Sequence, residues 1–223
     1  MSNRPTAAVY VDGLNLYKLL LARDRSIRWL NLVELMTNMF DCYEIVKLHY
    51  FTTELRRTDT LSAQKLSRQK NYFRALNTQS PVLQIHLGTF RSDRRALPRS
   101  PLTLNEEGSD YLRVEVLKVE EKGSDVHLAS RLVADAAKAT YDFQIVVSND
   151  SDLVPAISIA ATEFSSRIDL VLPLQEVQRG SNNLRKQKLN GVHSISSEML
   201  KESQFPDELI DSNGHFHKPP KWT

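Results

Sequence analysis

Apolar residues fall along this chain in two alternating rhythms, one of period two and one of helical period. Ala7–Val11 (AAVYV) is a short apolar run broken by Asp12 and Gly13, after which Leu14–Ala22 repeats at helical spacing. Strand, acidic turn and helix therefore open the chain. Trp29–Phe40 predicts a second amphipathic helix with Asn31 as its N-cap, and Glu44–Phe51 alternates as a strand. Thr58–Leu76 carries helical periodicity through Leu61, Leu66, Tyr72, Phe73 and Leu76, and Val82–Gly88 is another strand. Between Thr89 and Ser109 the pattern lapses into Arg, Ser, Pro and Gly, which predicts a long excursion from the sheet. Tyr111–Val119 then alternates as a hairpin or edge strand, and Gly123–Ala139 makes a strong helix. Phe143–Val147 has the β-branched, fully apolar look of a central strand, Leu153–Ala161 a helix, and Ile168–Leu172 a further short strand.

That order predicts an α/β fold. Right-handed crossovers make it a three-layer α/β/α sandwich around a mostly parallel sheet. We expect residues 1–178 to form this domain, with the loop excursion at 89–109, and residues 179–223 to be a C-terminal extension. From Ser194 the chain is polar, with Pro206, Pro219 and Pro220, yet Phe205, Phe216 and Trp222 are anchors that a disordered tail would lack. Partial docking of the tail is the expectation.

Composition narrows the class. The 223 residues, 41% hydrophobic and 25% charged, suffice for one large domain that buries about 70% of its unfolded surface. The single cysteine, Cys42, excludes an internal disulfide. No apolar run approaches the roughly 20 residues of a membrane span. The first residues enter a strand without a signal-peptide pattern, so a cytoplasmic protein away from membranes is expected. The net charge of +2 conceals an uneven distribution. Residues 56–99 hold ten Lys/Arg and two Asp/Glu, whereas the remainder holds nineteen and twenty-five. A basic middle beside acidic surroundings suits a polyanion held next to a carboxylate site, the alternative being a solvated helix face and a flexible loop. Arg56, Arg57, the helix surface of Lys65, Arg68, Lys70 and Arg74, and Arg91, Arg94, Arg95 and Arg99 are the candidate phosphate contacts. Tyr72 and Phe73 would stack on bases or, at helical spacing, pack in the core.

The chemistry concentrates after the central strand, where Ser148, Asn149, Asp150, Ser151 and Asp152 arrive together. In an open α/β sheet, ligands sit just past the carboxyl ends of strands. A helix cap explains one of these two acids but not both. Two other segments share the design: Asp12, Gly13 and Asn15 after the first strand, and Lys122, Gly123, Ser124 and Asp125 at a helix start. If one sheet edge gathers all three, Asp12, Asp125, Asp150 and Asp152 face one another. Four such carboxylates repel unless a cation joins them, and Mg²⁺ or Mn²⁺, hard ions that take oxygen ligands, are the fitting choice. Asn15 would support the metal, contact a phosphate or simply cap its helix. Lys122, Ser148 and Asn149 complete the expected substrate-binding set, although Lys122 also reads as an ordinary solvated lysine. His49 and His86 read as core or sheet-surface residues, His127 as an outward-facing residue with a proton-transfer alternative, and His215 and His217 as structural or solvent-facing, with a transition-metal site the alternative. Neither a Ser-His-Asp arrangement nor a glycine-rich phosphate cradle is present.

Three blocks, VYVDGLNLY (Val9–Tyr17), EKGSDVHLA (Glu121–Ala129) and VVSNDSDL (Val146–Leu153), resemble the signature blocks of the NYN domain family, which has the PIN-like nuclease fold. The resemblance covers roughly Ala7–Leu172, and the tail from Ser203 to Trp222 resembles a bacterial subgroup. It implies a parallel sandwich and a divalent-metal ribonuclease site. Asp12 then matches the acid after strand one, Asn15 the asparagine of that block, Asp125 the helix-start acid, and Asp150 and Asp152 the later pair. Two departures stand out: Asn149 where many relatives carry Gly, and Arg131 where they carry Asp. Asp135 lies about 15 Å along the helix from Asp125, too far to share an ion, and reads as a polar-face residue or a secondary contact.

The expected function is therefore a Mg²⁺- or Mn²⁺-dependent ribonuclease acting on single-stranded RNA, with RNA favoured over DNA and self-association left open. The alternative is a non-catalytic nucleic-acid-binding or regulatory protein of the same fold. A phosphatase fits less well, because Leu14, not an acid, stands two residues after Asp12.

Overall fold

The structure is a computed structural model that describes residues 4–55 and 63–222. Arg56, Arg57 and the first part of the helix expected from Thr58 lie outside the described residues. The chain is an α/β sandwich of three layers around a seven-stranded sheet. In chain order the elements are β1 (Thr6–Asp12), α1 (Gly13–Leu16) running on as a π-helical turn (Tyr17–Leu21), α2 (Leu32–Met39), β2 (Glu44–Thr53), α3 (Ala63–Asn77), β3 (Leu83–Pro98) and β4 (Arg113–Lys122). Then come α4 (Ser124–Ala137), β5 (Phe143–Val147), α5 (Val154–Thr162), β6 (Arg167–Leu172), α6 (Asn182–Arg185), β7 (Gly191–Ser194), α7 (Ser197–Glu202), β8 (Glu208–Asp211) and β9 (Gly214–His217).

The strand order is β4-β3-β2-β1-β5-β6-β7, and only β4 runs antiparallel to its neighbour. The chain first moves outward from β1 through β2 and β3, then returns to the other side of β1 for β5 and moves outward again. β1 and β5 thus flank the point where the winding reverses, and a crevice opens outside their carboxyl ends. The register sets Val11 beside Val147, so the residues that follow each strand emerge side by side. Alternate residues of β1 feed two cores. Val9 and Val11 pack under α2 and α3, whereas Ala8 and Tyr10 pack under α4 and α5.

The helices start where their sequence allows. Asn31 caps α2 by accepting from the Glu34 N–H at 3.3 Å, as its position predicts. Gly123 stands before α4 at φ +98°, a left-handed conformation that glycine adopts without a Cβ penalty.

The excursion expected at 89–109 is in its first half a strand. From Thr89 to Pro98, β3 leaves β2 and pairs with β4 alone, forming a two-stranded ribbon that projects past the carboxyl edge of the sheet. Both faces of the first arm meet solvent, so Thr89–Pro98 carries no apolar alternation to mark it, whereas β4 is the hairpin strand expected from Tyr111–Val119.

The boundary expected at residue 178 marks no break, since β7 extends the sheet beside β6. The tail is docked over most of its length. Phe205, Phe216 and Trp222 are buried and ring Trp29, whose indole N–H donates to the Pro206 carbonyl at 2.8 Å. Arg74 clamps Asp211 through two bonds of 2.6 Å and lies over the Phe216 ring. No helix of the described residues is long and apolar enough to cross a membrane.

Candidate active site

Asp12 ends β1 and caps α1. One carboxylate oxygen accepts from the Asn15 N–H at 2.9 Å, and the other accepts from the Ser148 hydroxyl at 2.9 Å. Ser148 follows β5 and is fully buried, and its oxygen in turn accepts from the Asp150 N–H at 3.0 Å. Asn15 reaches across the switch point to accept from the Asn149 N–H at 2.9 Å. The two strand ends are therefore stitched together by short polar side chains, which fixes Asp12 and Asp150 on one rim. Asp125, in the first turn of α4, completes a cleft of about 340 Å³ whose lining also includes Asn15, Lys18 and the ribbon base from Val119 to Lys122.

Burial pushes the Asp12 carboxyl up to about 6, with the charges of Asp125 and Asp150 adding to the rise and its two hydrogen bonds opposing it. Asp125 is raised as well, by burial first and then by Asp150, Glu121 and Asp152. Among the described residues, no three His, Cys, Asp or Glu side chains stand close enough together to hold a metal ion. The acids meet across the cleft by field, not by contact, as repelling groups do.

Asp12, Asp125, Asp150, Asn15 and Lys122 all line this cleft. Asp152 is exposed outside that lining, its N–H donating to the Asp150 carboxylate at 3.0 Å. Two expected substrate contacts are corrected. Ser148 is sealed from solvent with its hydroxyl engaged on both sides, and the Asn149 side-chain carbonyl accepts from the Ser181 N–H at 2.7 Å. Ser148 therefore positions the cleft, and half-buried Asn149 ties the turn after β5 to Ser181.

Lys65 and Arg68 sit in the early turns of α3, on the sheet face opposite α4 and outside the cleft. Arg91, Arg94 and Arg95 lie on the ribbon beside acids: Arg91 and Arg95 approach Asp93, Arg95 also approaches Glu120, and Arg94 approaches Glu115. Residues 89–122 carry seven basic and seven acidic side chains, so the basic middle ends where β4 brings the acids back. Tyr72 is core, with its hydroxyl donating to the Leu30 carbonyl, and Phe73 packs against the same core. Asp135 is not a polar-face residue. It is buried beneath α4 and accepts from the Tyr10 hydroxyl at 2.9 Å.

Sequence reading passed over Lys18 and Glu121. Lys18 stands three residues beyond Asn15, one helical turn on, and lines the same cleft. Glu121 folds back so that its carboxylate accepts from the Ser124 N–H at 3.0 Å, capping α4 next to Asp125. The packing there is close. A Cβ on Gly88 would meet that carboxylate at 2.3 Å, so a side chain there would push Glu121 off the start of α4.

No family model matches the chain. It is similar to 6-hydroxy-3-succinoylpyridine 3-monooxygenase HspA of Pseudomonas putida, 25% identical over 236 residues that span 96% of this chain and 74% of that protein. A crystal structure of a protein of unknown function from Vibrio parahaemolyticus superposes with a TM-score of 0.52 at 14% identity, covering 89% of this chain and 98% of the other. That likeness establishes the shared fold.

Proposed function

We propose that the chain is a divalent-metal-dependent phosphodiesterase acting on RNA, with single strands as its substrate. The supporting observation is that Asp12, Asp125 and Asp150, from three separate segments, line one cleft at the switch point of the sheet. Asp12, Asp125, Asp150 and Asn15 offer the oxygen donors that a hard cation takes, and binding one would draw together carboxylates that as they lie stand too far apart to hold it. A bound Mg²⁺ or Mn²⁺ would polarise the phosphodiester and supply hydroxide near neutral pH. The protein's own part is positioning. Ser148 and the Asn15 N–H hold the Asp12 carboxylate in one orientation. The Ser148 hydroxyl and the Asp152 N–H fix the Asp150 backbone and side chain. Lys18 and Lys122 stand at the cleft to receive phosphate oxygens, and Lys122 lies 3.2 Å from Glu120. These lysines and the resemblance to the NYN domain family support RNA as the polyanion.

The likeness to a pyridine-ring monooxygenase favours a second reading, an oxygenase of a small heterocycle. Against it, only Leu14 and Val119 give the acid cleft an apolar lining. One experiment separates the readings. Purified protein is incubated with labelled single-stranded RNA and Mn²⁺, with and without EDTA, beside an Asp150→Asn variant. EDTA-sensitive cleavage that the variant lacks supports the nuclease. RNA binding without cleavage would favour a non-catalytic nucleic-acid binder. Oxygen uptake with 6-hydroxy-3-succinoylpyridine and a nicotinamide reductant, in protein that leaves RNA intact, would favour the oxygenase.

A further inference from the structure

The π-helical turn Tyr17–Leu21 separates two cavities. Lys18 lines the acid cleft on one side, while Leu19, Leu20 and Arg23 line a second cavity of about 300 Å³ on the other. π-Helical turns are rare and recur at functional sites, because the extra residue re-aims side chains that an α-helix would place elsewhere. The second cavity lies at the same carboxyl edge of the sheet, closed by the segment after β6 and by α7. It shares no lining residue with the acid cleft.

Its walls are tied to one another. Arg28 donates to the Leu21 and Ala22 carbonyls at 2.7 Å and lies over the Tyr17 ring, which fixes the end of the π turn. Gln204 donates to the Ile27 and Leu200 carbonyls, joining the wall after the π turn to α7. Gln175 donates to the Ser197 hydroxyl at 2.7 Å, joining the segment after β6 to α7. Such a cavity is formed before any ligand arrives, as small-molecule sites generally are.

The lining sorts by chemistry. Leu20, Ile27 and Leu200 are buried at its base, with Leu19 and Leu174 half-buried above them. Around the rim stand Arg23, Arg179 and Lys201 with Asp24 and Glu176, three cations against two acids. Glu176 is occupied by Arg179 at 3.3 Å, and Asp24 accepts from both the Ser26 N–H and its hydroxyl. The surplus is one positive charge above an apolar floor.

We propose that this cavity binds a small monocarboxylate with an apolar body, whose carboxylate meets Arg23 and Lys201 while the body rests on the leucines. One surplus cation matches one carboxylate, and a guanidinium suits its fork geometry. The size, at the lower end of ligand pockets, sets the ligand at roughly benzoate or hexanoate scale. The inference does not depend on the nuclease reading, since neither the residues nor the assay involves the acid cleft.

The test is an amide-resolved NMR titration of the full chain with benzoate, hexanoate, benzamide and phenyl phosphate. Benzoate or hexanoate should saturate at a Kd of about 1 mM or tighter and shift amides in residues 19–27, 174–179 and 197–201. Benzamide, of the same shape without the charge, should bind about tenfold more weakly, as should benzoate to Arg23→Glu or Lys201→Glu. Both variants change exposed side chains, so the fold survives them, and Leu174→Trp should block binding by filling the cavity. Three results would overturn the proposal: no shift in those segments up to about 20 mM of either carboxylate, benzamide binding as well as benzoate, or tighter binding of phenyl phosphate. The last would mean a phosphate site.

Discussion

Asp12 and Asp135 are both buried carboxylates beside β1, yet their surroundings differ in kind. Asp135, late in α4, sits in a network closed by protein groups: Tyr10 donates to it, Gln144 donates to the Tyr10 hydroxyl, and Arg131 stands 3.7 Å away. Next to it His49 and His86 bond to each other at 2.9 Å, ring nitrogen to ring nitrogen. Burial holds both rings neutral, near pKa 3 and 4, so the 3.9 Å approach of His49 to Asp135 is not an ion pair. Asp12 instead faces Asp125 and Asp150 across an open cleft, and their charges add to its difficulty in ionising. A core resolves its buried charge internally, whereas a site leaves charge unresolved for something it binds. The same helix serves both regions, presenting Asp125 at its start and Asp135 near its end.

If that contrast is right, cleft and core substitutions should fail in different ways. Asp150→Asn or Asp12→Asn should lower Mn²⁺-dependent RNA cleavage by more than roughly a thousandfold, since even outer-shell partners of a metal cost 10–100-fold. Asp12→Asn should also raise the thermal midpoint in EDTA at pH 7.5. With a folded pKa near 6, above the ordinary carboxylate value, the native state holds its proton more tightly than the unfolded state and loses stability as pH rises through that range. A lowered midpoint would mean that Asp12 is chiefly structural.

The histidine pair runs the other way. Its folded pKa values lie below the unfolded value of about 6.5, so its stability is complete above pH 6.5 and is lost as pH falls. Denaturant unfolding at pH 5 should show a loss of about 2 kcal/mol per histidine relative to pH 7.5. Replacing both with leucine should flatten that dependence. Asp135→Ala should cost about 3 kcal/mol by stranding Tyr10 and Arg131, lowering the thermal midpoint by roughly 8 °C. Cleavage at low temperature should stay within a few-fold. The smallest effect belongs to the ribbon: Arg91→Ser or Arg95→Ser should change RNA affinity less than about threefold, because neighbouring acids already offset those exposed charges. A larger loss, measured by salt-dependent binding, would return the ribbon to the substrate surface.

Local signals made β1, β5 and the Asn31 cap legible, and the repeated strand-acid-helix design pointed to Asp12, Asp125 and Asp150. Partners distant in sequence did not show. Tyr10 and Asp135 are 125 residues apart, and nothing near Asp135 marks it as buried. Ser148 has the composition of a ligand contact and acts instead as a tie, a distinction that only burial reveals. The second arm of the ribbon was legible from its alternation, but the first, Thr89–Pro98, was hidden because a strand exposed on both faces needs none, and charge counted over 56–99 omitted the partner strand. The tail anchors were visible as Phe205, Phe216 and Trp222, but not their shared target, Trp29.

Calorimetric titration of Mn²⁺ into the wild-type chain and into Asp12→Asn, Asp150→Asn and Asp135→Asn tests the central claim most directly. The account predicts saturable binding in the wild type and in Asp135→Asn, and its loss in the two cleft variants. Absent saturable binding, or equal binding in all four proteins, would contradict it.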